Sequence, residues 1–263
     1  MPERESITSH YSKYFQTVNA TTEELKALAY QMRHQVFYEE CGYHDLGRSH
    51  HQEIEIDDYD DCSVHALLFH KPTHLAVGYI RLISKADQYG LVLPIEKNCN
   101  SALDFSNSTL KSIKNSHVGE ISRMAVIAPF RQPLANSYDG NYGQKPLEAK
   151  KDQKAHYPVN YLPMCLISAV MHFMLKEGMD CAVALIEPQF ARLLRCLGVQ
   201  FEQIGNPVEY LGTRVPYVFY QQKTHEKLKP EYRDLFDKIG RELMSQEAAI
   251  SEFPSMRSTI ECE

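Results

Sequence analysis

The chain has 263 residues, is 43% hydrophobic and carries a formal charge of −6, with a pI near 6.1. This length and apolar content are enough to bury a core, whereas the acidic balance argues against a general nucleic-acid binder, which usually has a basic excess on one face. No N-terminal stretch has the pattern of an export signal, and the seven cysteines are odd in number and contain no CxxC pair. These features predict a cytoplasmic protein with free thiols.

The first predicted helix starts after a capping-box pattern at residues 21–24 and continues to Cys41, with apolar residues at helical spacing. Arg33 and Phe37 lie one turn apart on this helix. Residues 43–61 have no sustained apolar period and are crowded with His and acidic residues. They are predicted to form a long loop of the kind that often serves as a lid.

Three strands are predicted next, each rich in β-branched and aromatic residues. The runs Ser63–His70 and Leu75–Ser84 are separated by a short Pro-containing segment, which indicates an antiparallel hairpin with Arg81 near the end of its second strand. The third strand, His117–Ala128, carries Glu120 and Ser122 on one face. Arg123 falls on the other face by the period of two, so Glu120 and Arg123 meet only if a bulge kinks the strand.

The second half of the chain alternates helices and strands after a polar insertion at residues 131–157. The run 159–175 is the most apolar but is interrupted by polar residues and Pro163, so we interpret it as a core helix rather than a membrane span. The predicted elements are a helix at 159–177, strand Cys181–Ile186, helix Pro188–Leu197, strands Val199–Ile204 and Pro216–Gln221, and an amphipathic helix at 230–249. The alternation indicates an α/β domain with one mixed sheet at residues 21–225, preceded by a segment at 1–20 and followed by a helix and tail at 226–263.

Charged motifs recur beside the predicted apolar strands, where isolated charges are expensive to bury, so they are expected to meet in space. The motifs are Arg33-His34-Gln35-Val36-Phe37, Asp57-Asp58-Tyr59-Asp60, Gly78-Tyr79-Ile80-Arg81-Leu82, Glu120-Ile121-Ser122-Arg123, Glu187-Pro188-Gln189-Phe190-Ala191-Arg192-Leu193-Leu194-Arg195 and Arg214-Val215-Pro216-Tyr217. Their order resembles the acyl-homoserine-lactone autoinducer synthases and, more closely, the long-chain N-acyl amino acid synthases and the PEP-CTERM/exosortase system-associated acyltransferases. The resemblance covers about residues 20–220.

The resemblance implies a GNAT-like acyl-CoA N-acyltransferase fold, in which a splayed or bulged strand polarises a thioester carbonyl through backbone N–H groups. It implies that Glu120 accepts the proton of the attacking amine, with Ser122 and Arg123 as further catalytic residues. A purely structural ion pair of Glu120 is the alternative. The predicted substrate-binding residues are Arg33, Phe37, Tyr43, Asp57, Asp60, Arg81, Met124 and Val126, where the arginines either hold an amino-acid carboxylate or are structural.

The acyl donor is predicted to be an acyl carrier protein rather than acyl-CoA. The segment Arg131-Gln132-Pro133-Leu134-Ala135 lacks the glycines that cradle a coenzyme A pyrophosphate. Carrier proteins are acidic, so a basic set is the candidate docking patch, with a merely solvated loop as the alternative; this set comprises Lys150, Lys151, Lys154, Arg192 and Arg195. The group that protonates the leaving thiolate is not identified.

The sequence therefore predicts an N-acyltransferase that moves a fatty acyl group from a carrier-protein thioester directly to the amine of an amino acid or related small molecule. It predicts no resident cofactor or metal, because the histidines of residues 44–51 match no compact zinc motif. One alternative is a homoserine-lactone synthase that uses S-adenosylmethionine. It is disfavoured because Tyr43 stands where those enzymes generally have Trp, a residue this chain lacks. The other alternative is a non-catalytic acyl-ligand-binding protein.

Overall fold

The computed structural model describes residues 6–44, 53–113, 116–131 and 161–248. In this part of the chain, eight strands form one mixed sheet in the order β1-β2-β3-β4-β5-β8-β6, with β7 paired to β8. The strands are β1 (Phe15–Asn19), β2 (Ser63–His70), β3 (Leu75–Ile83), β4 (Val118–Val126), β5 (Cys181–Ile186), β6 (Phe201–Gln203), β7 (Val208–Glu209) and β8 (Thr213–Tyr220). Neighbouring strands are antiparallel except for the parallel pair β4–β5.

The helices cover both faces of the sheet. They are α1 (Ile7–Tyr14), α2 (Glu23–Arg33), α3 (Pro94–Cys99), α4 (Ser108–Ile113), α5 (Leu162–Lys176), α6 (Pro188–Cys196), α7 (Gln221–Lys227) and α8 (Pro230–Ala248). Helix α5 is buried along most of its length because it packs between the sheet and α8. The apolar run at residues 159–175, which we predicted to be a core helix, therefore lies largely in a buried helix. No helix in the described ranges is both long enough and apolar enough to cross a membrane.

The two faces of the sheet are distinguished by the alternation of side chains along each strand. On one side, Val183 of β5 and Val218 of β8 pack against Ile95 of α3; we call this side the α3 face. On the other side, Ala182 and Phe219 belong to the larger core that includes α5 and α6; we call this side the α5 face. A side chain's position in its strand thus decides which of the two layers it enters.

Strand β4 contains a bulge and then separates from β5. The register against β3 advances from Tyr79↔Ala125 to Arg81↔Ser122, so β4 has one more residue than its partner here. Arg123 lies at this point with a φ of 54°, a left-handed conformation that is uncommon for residues other than glycine. The pairing of β4 with β5 extends only from Val118 to Glu120. Beyond Glu120 the two strands diverge, and this confirms the splayed and bulged strand that the resemblance implied.

The hairpin β2–β3, strands β4 and β5, and helices α5, α6 and α8 agree with the sequence predictions within a few residues at their ends. The N-terminal region differs. Strand β1 is paired with β2 along its full length, so the sheet begins inside the segment that we placed before residue 21. This strand is anchored from the other end of the chain, since Glu242 of α8 accepts a hydrogen bond from the hydroxyl of Tyr11 beside it. The predicted helix after residue 21 also changes character, because residues His34–Glu40 continue α2 as a π-helix.

Candidate active site

Three arginines and three carboxylates form a network on the α3 face of the sheet. The carboxylates come from the segment at residues 53–60, and the arginines from α2, β3 and β4. Three positive and three negative charges balance, which is the condition under which buried charges are tolerated. The members are Arg33, Glu55, Asp57, Asp60, Arg81 and Arg123.

Arg81 lies at the centre of this network and is completely buried. It binds Asp57 in a bidentate manner, with its Nη1 2.6 Å from Oδ1 and its Nη2 2.9 Å from Oδ2. Its Nη1 is also 2.7 Å from Asp60 Oδ1, and its Nε donates to Ser122 Oγ at 3.0 Å. Such a fork geometry suits arginine and not lysine. Arg81 therefore joins the acidic segment to β4.

The other two arginines both bind Glu55, and each also binds one of the aspartates. Arg33, also completely buried, donates to Glu55 and Asp60. Arg123 binds Glu55 with its Nη2 at 3.1 Å and Asp57 at 3.0 Å. The left-handed backbone at the bulge turns Arg123 towards these carboxylates. It thus reaches the α3 face, although the period of two alone placed it on the opposite face.

The carboxylates of the network are held in their charged form. Burial acts to raise the pKa of Asp60, but the neighbouring Arg33 and Arg81 outweigh it and hold this pKa below its usual range. The same balance lowers the pKa of Glu55, where Arg33 and Arg123 outweigh burial. At neutral pH the network therefore holds the acidic segment at residues 53–60 against the sheet. Arg33 and Arg81 are completely buried, bind carboxylates of the network and do not line the cavity described below, so they lie behind this cavity.

Glu120 lies at the end of the β4–β5 pairing and is 3% exposed. Its Oε2 accepts a hydrogen bond from the backbone N–H of Ile95 at 2.8 Å. Burial raises its pKa to about 8, although the Ile95 N–H and the arginines Arg81 and Arg123 act in the opposite direction. In the part of the chain that the structure describes, Glu120 forms no ion pair, because Arg81 and Arg123 bind other carboxylates. The alternative of a structural ion pair finds no support among these residues.

A cavity of 530 Å³ passes through the gap between the diverging strands. Its walls include Glu120 to Val126 of β4 and Ala184 to Glu187 at the end of β5 and just beyond it. On the α5 face the lining is apolar, with side chains from α5, α6, β6 and β8; these are Leu162, Ile167, Phe190, Leu193, Leu194, Phe201 and Phe219. On the α3 face polar side chains dominate, among them Glu120, Tyr210 and Arg214. The cavity thus offers an apolar arm and a polar head that meet at the splay.

The structure brings most of the predicted site residues to this cavity. Glu120, Ser122, Arg123, Phe37, Tyr43, Met124 and Val126 all line it. Tyr43 is positioned by the end of the π-helix, where its N–H donates to the carbonyl of Phe37 at 2.8 Å. Asp57, Asp60, Arg33 and Arg81 instead support it through the ionic network. Their roles in substrate binding stay predictions.

The predicted docking patch is only partly within the described residues. Lys150, Lys151 and Lys154 lie outside them. Arg192 and Arg195 are exposed on α6, the helix whose other side lines the apolar arm. Arg195 also stacks over Phe201, with its Cζ 4.5 Å from the ring centroid.

Three residues of the site were not predicted as site residues from the sequence. Glu55 completes the ionic network, Tyr210 lies near both Glu120 and Arg123, and Arg214 lines the polar head. Arg214 is part of a motif quoted for the resemblance, and this was the one signal that pointed to it. Among the described residues, no cluster of three histidine, cysteine or acidic side chains is arranged to hold a metal.

Comparison with known proteins agrees with this geometry. Residues 32–138 match the model of the acetyltransferase (GNAT) domain, a region that includes the ionic network and the bulged strand. No curated protein sequence matches the chain significantly.

Several solved structures share the fold. TofI, in a ternary complex with an inhibitor and MTA, is 18% identical, with a TM-score of 0.56 over 82% of this chain and 99% of that one. BjaI, a CoA-dependent acyl-homoserine lactone synthase with SAM and isopentyl-CoA, is 18% identical, with a TM-score of 0.53 over 86% and 89% of the two chains. FeeM, an N-acyl amino acid synthase from uncultured soil microbes, is 15% identical, with a TM-score of 0.53 over 81% and 94%.

These matches confirm the predicted GNAT-like α/β fold. The prediction of an acyltransferase is confirmed at this coarse level, because residues 32–138 match the model of the acetyltransferase (GNAT) domain. The link to PEP-CTERM/exosortase systems, the acyl donor and the acceptor stay predictions.

Proposed function

We propose that this protein transfers a fatty acyl group from an acyl carrier protein thioester to the amine of an amino acid, without an acyl-enzyme intermediate. The observation that carries the proposal is the amphipathic cavity through the β4–β5 splay, with the buried carboxylate of Glu120 at its polar head. A site for acyl transfer to an amine has to hold an apolar chain and a polar nucleophile on two sides of one carbonyl carbon. The two sides of the sheet supply these two environments.

The apolar arm supports a fatty chain as the acyl group. Its lining comes from α5, α6 and the core strands, which are held by the main hydrophobic core. An apolar wall of this kind stabilises a bound chain by about 0.8 kcal/mol for each buried methylene. The depth of the arm therefore limits the length of the chain, and side chains such as Leu193 set that limit.

Glu120 is the residue that we assign as the general base. With a pKa of about 8 it exchanges a proton readily near neutral pH, as a base for an amine requires. In the proposed step the amine nitrogen attacks the thioester carbonyl carbon, a C–N bond forms and the C–S bond breaks. The amine proton passes to the carboxylate form of Glu120, and the thiolate of the carrier's pantetheine arm leaves and takes up a proton from solvent. Glu120 then releases its proton to solvent, which restores the carboxylate.

The bulge in β4 supports stabilisation of the transition state. A bulge leaves an extra residue out of the hydrogen-bonding ladder, and its backbone N–H is then available to an oxyanion. Here the bulge lies at Arg123, inside the cavity wall and three residues from Glu120. The ionic network holds this strained backbone in place, because Arg123 binds two carboxylates of the acidic segment.

Two features support a carrier protein as the donor. The segment after β4 lacks the glycines that would hold a pyrophosphate. The exposed arginines Arg192 and Arg195 lie on α6, next to the apolar arm, where an acidic carrier protein would deliver its pantetheine.

The test is to incubate the purified protein with medium- and long-chain acyl groups on carrier protein or on CoA, together with a mixture of amino acids. Products are identified by mass spectrometry. We expect N-acyl amino acids from acyl carrier protein and much slower formation from acyl-CoA. Faster turnover of acyl-CoA would refute the donor assignment. If S-adenosylmethionine were the accepted amine, methylthioadenosine would form. Tight acyl binding with no thiol release under any amine would identify a binding protein instead.

A further inference from the structure

We propose that Arg214 binds the carboxylate of the acceptor, so that the acceptor is an α-amino acid held between Arg214 and Glu120. This inference rests on the proposed function and narrows its substrate class. The cavity wall includes three arginines within the described residues, and they differ in what they already bind.

Arg123 and Arg131 each have a carboxylate partner within the protein. Arg123 binds Glu55 and Asp57, and Arg131 is paired with Glu40 at the end of the π-helix. A guanidinium that already binds carboxylates is a poor receptor for another, because the incoming anion has to displace them.

Arg214 forms no ion pair with any residue in the described ranges. Its Nη1 donates to the carbonyl of Thr213 at 3.1 Å, and its Nη2 is 3.5 Å from the hydroxyl of Tyr43. Arg214 also lines the cavity, on the side where the lining is otherwise polar. A half-buried guanidinium with donors to spare is a site for a bidentate anion, and a carboxylate matches its geometry.

The strand register places Arg214 on the same side of the sheet as Glu120. Side chains alternate along β8, so Arg214 points to the face of Val218, which is the α3 face. Glu120 is in register with Val183, which belongs to that same face. Strand β7 also holds the backbone of β8 at this position, because Val208 pairs with Arg214. Both groups therefore enter the polar head from the same face of one sheet, from the two strands β4 and β8 that flank β5.

The chemistry of the two groups selects the acceptor. An α-amino acid has its amine and its carboxylate on the same carbon atom, so binding the carboxylate also brings the amine to a defined place. Glu120 then accepts the amine proton while Arg214 holds the anion, which is orientation of the nucleophile by a remote group. Simple alkylamines and amino acid amides lack the anion and lose this contact.

The test compares an amino acid with its primary amide as acceptors. The amino acid is the best one found among the twenty proteinogenic acids in the assay above. For wild type we expect kcat/KM to be about 10- to 100-fold higher for the acid than for the amide. This factor corresponds to the contribution of one charge-assisted bidentate hydrogen-bonding contact. Arg214→Gln should raise KM for the acid by that factor with little change for the amide, and Arg214→Lys should recover part of it. Arg241→Gln, an exposed arginine on α8, is the matched control.

A binding measurement keeps the test independent of turnover. Isothermal titration calorimetry compares N-dodecanoylglycine with N-dodecanoylglycinamide for wild type, Arg214→Gln and Arg241→Gln. We expect the acid to bind more tightly, and Arg214→Gln alone to remove the difference. If the protein turns over no amino acid but this difference is found, the proposed reaction fails and the carboxylate site stands. If Arg214→Gln leaves the acid-to-amide ratio unchanged in both measurements, the inference is overturned.

Discussion

Replacing Glu120 with Gln should stop acyl transfer and, at alkaline pH, make the protein more stable. The amide is nearly isosteric with the carboxyl group, and its oxygen can still accept the N–H of Ile95. What the substitution removes is the ability to lose and gain a proton. Loss of a general base costs about 10²- to 10⁴-fold in rate.

The gain in stability follows from the sign of the pKa shift. Burial raises the pKa of Glu120 from 4.5 to about 8, so between these values the folded state binds a proton that the unfolded state has lost. Stability then falls as the pH rises, by about 1.4 kcal/mol for each pH unit. Above pH 8 the penalty of the buried charge is complete and is on the order of 5 kcal/mol. The amide carries no such penalty.

Urea unfolding at pH 5 and at pH 9 measures this effect. Because the chain contains no Trp, unfolding is best followed by circular dichroism. The free energy of unfolding of Glu120→Gln should be close to that of wild type at pH 5 and higher by a few kcal/mol at pH 9. Glu96→Gln is the matched control, since Glu96 is exposed on α3 near the same site, and it should change stability by less than about 1 kcal/mol.

Two results would refute this reasoning. If the difference in the free energy of unfolding between wild type and Glu120→Gln were the same at pH 5 and pH 9, burial would not raise the pKa of the Glu120 carboxyl group. Unchanged acyl transfer by a folded Glu120→Gln protein would remove Glu120 from the reaction.

Three further predictions concern the network and the apolar arm. Asp60→Asn leaves Arg33 and Arg81 with excess positive charge in a buried site, so the free energy of unfolding in urea should fall by about 3–5 kcal/mol, whereas Asp61→Asn, at the exposed neighbouring position, should have little effect. The pKa values of Glu55 and Asp60 are lowered in the folded state, so these carboxylates stabilise the fold at any pH above their ordinary pKa. This stability is lost as the groups are protonated, so wild type should become steadily less stable below about pH 4. Asp60→Asn should lose less stability over the same range. Leu193→Phe fills the apolar arm, so mass spectrometry should show shorter acyl chains in the products. The first prediction is contradicted if Asp60→Asn and Asp61→Asn are equally stable. The second is contradicted if Asp60→Asn and wild type have identical acid unfolding profiles, and the third if Leu193→Phe leaves the chain-length distribution unchanged.

The local pattern of the sequence was sufficient for the elements that frame the site. The hairpin β2–β3 is encoded by two apolar runs around a short Pro-containing turn, and β4 by its run of branched residues. The order of the charged motifs indicated that distant residues meet, and the network of Arg33, Arg81 and Arg123 confirms that expectation. The signals for the hairpin and for β4 lie within the elements they predict, whereas the motif order states only that distant charges meet.

What the sequence left open depended on contacts between distant segments. A bulge is a mismatch between two strands, so a period counted along β4 alone places Arg123 on the wrong face. Strand β1 is stabilised by pairing with β2 and by α8, which lies more than two hundred residues further along the chain. Tertiary packing also decides charge. Burial raises the pKa of Glu120, and carboxylates of the protein bind Arg33 and Arg81, whereas Arg214 forms no ion pair among the described residues. Residue type states which charges are present, and only the fold determines which of them are already neutralised.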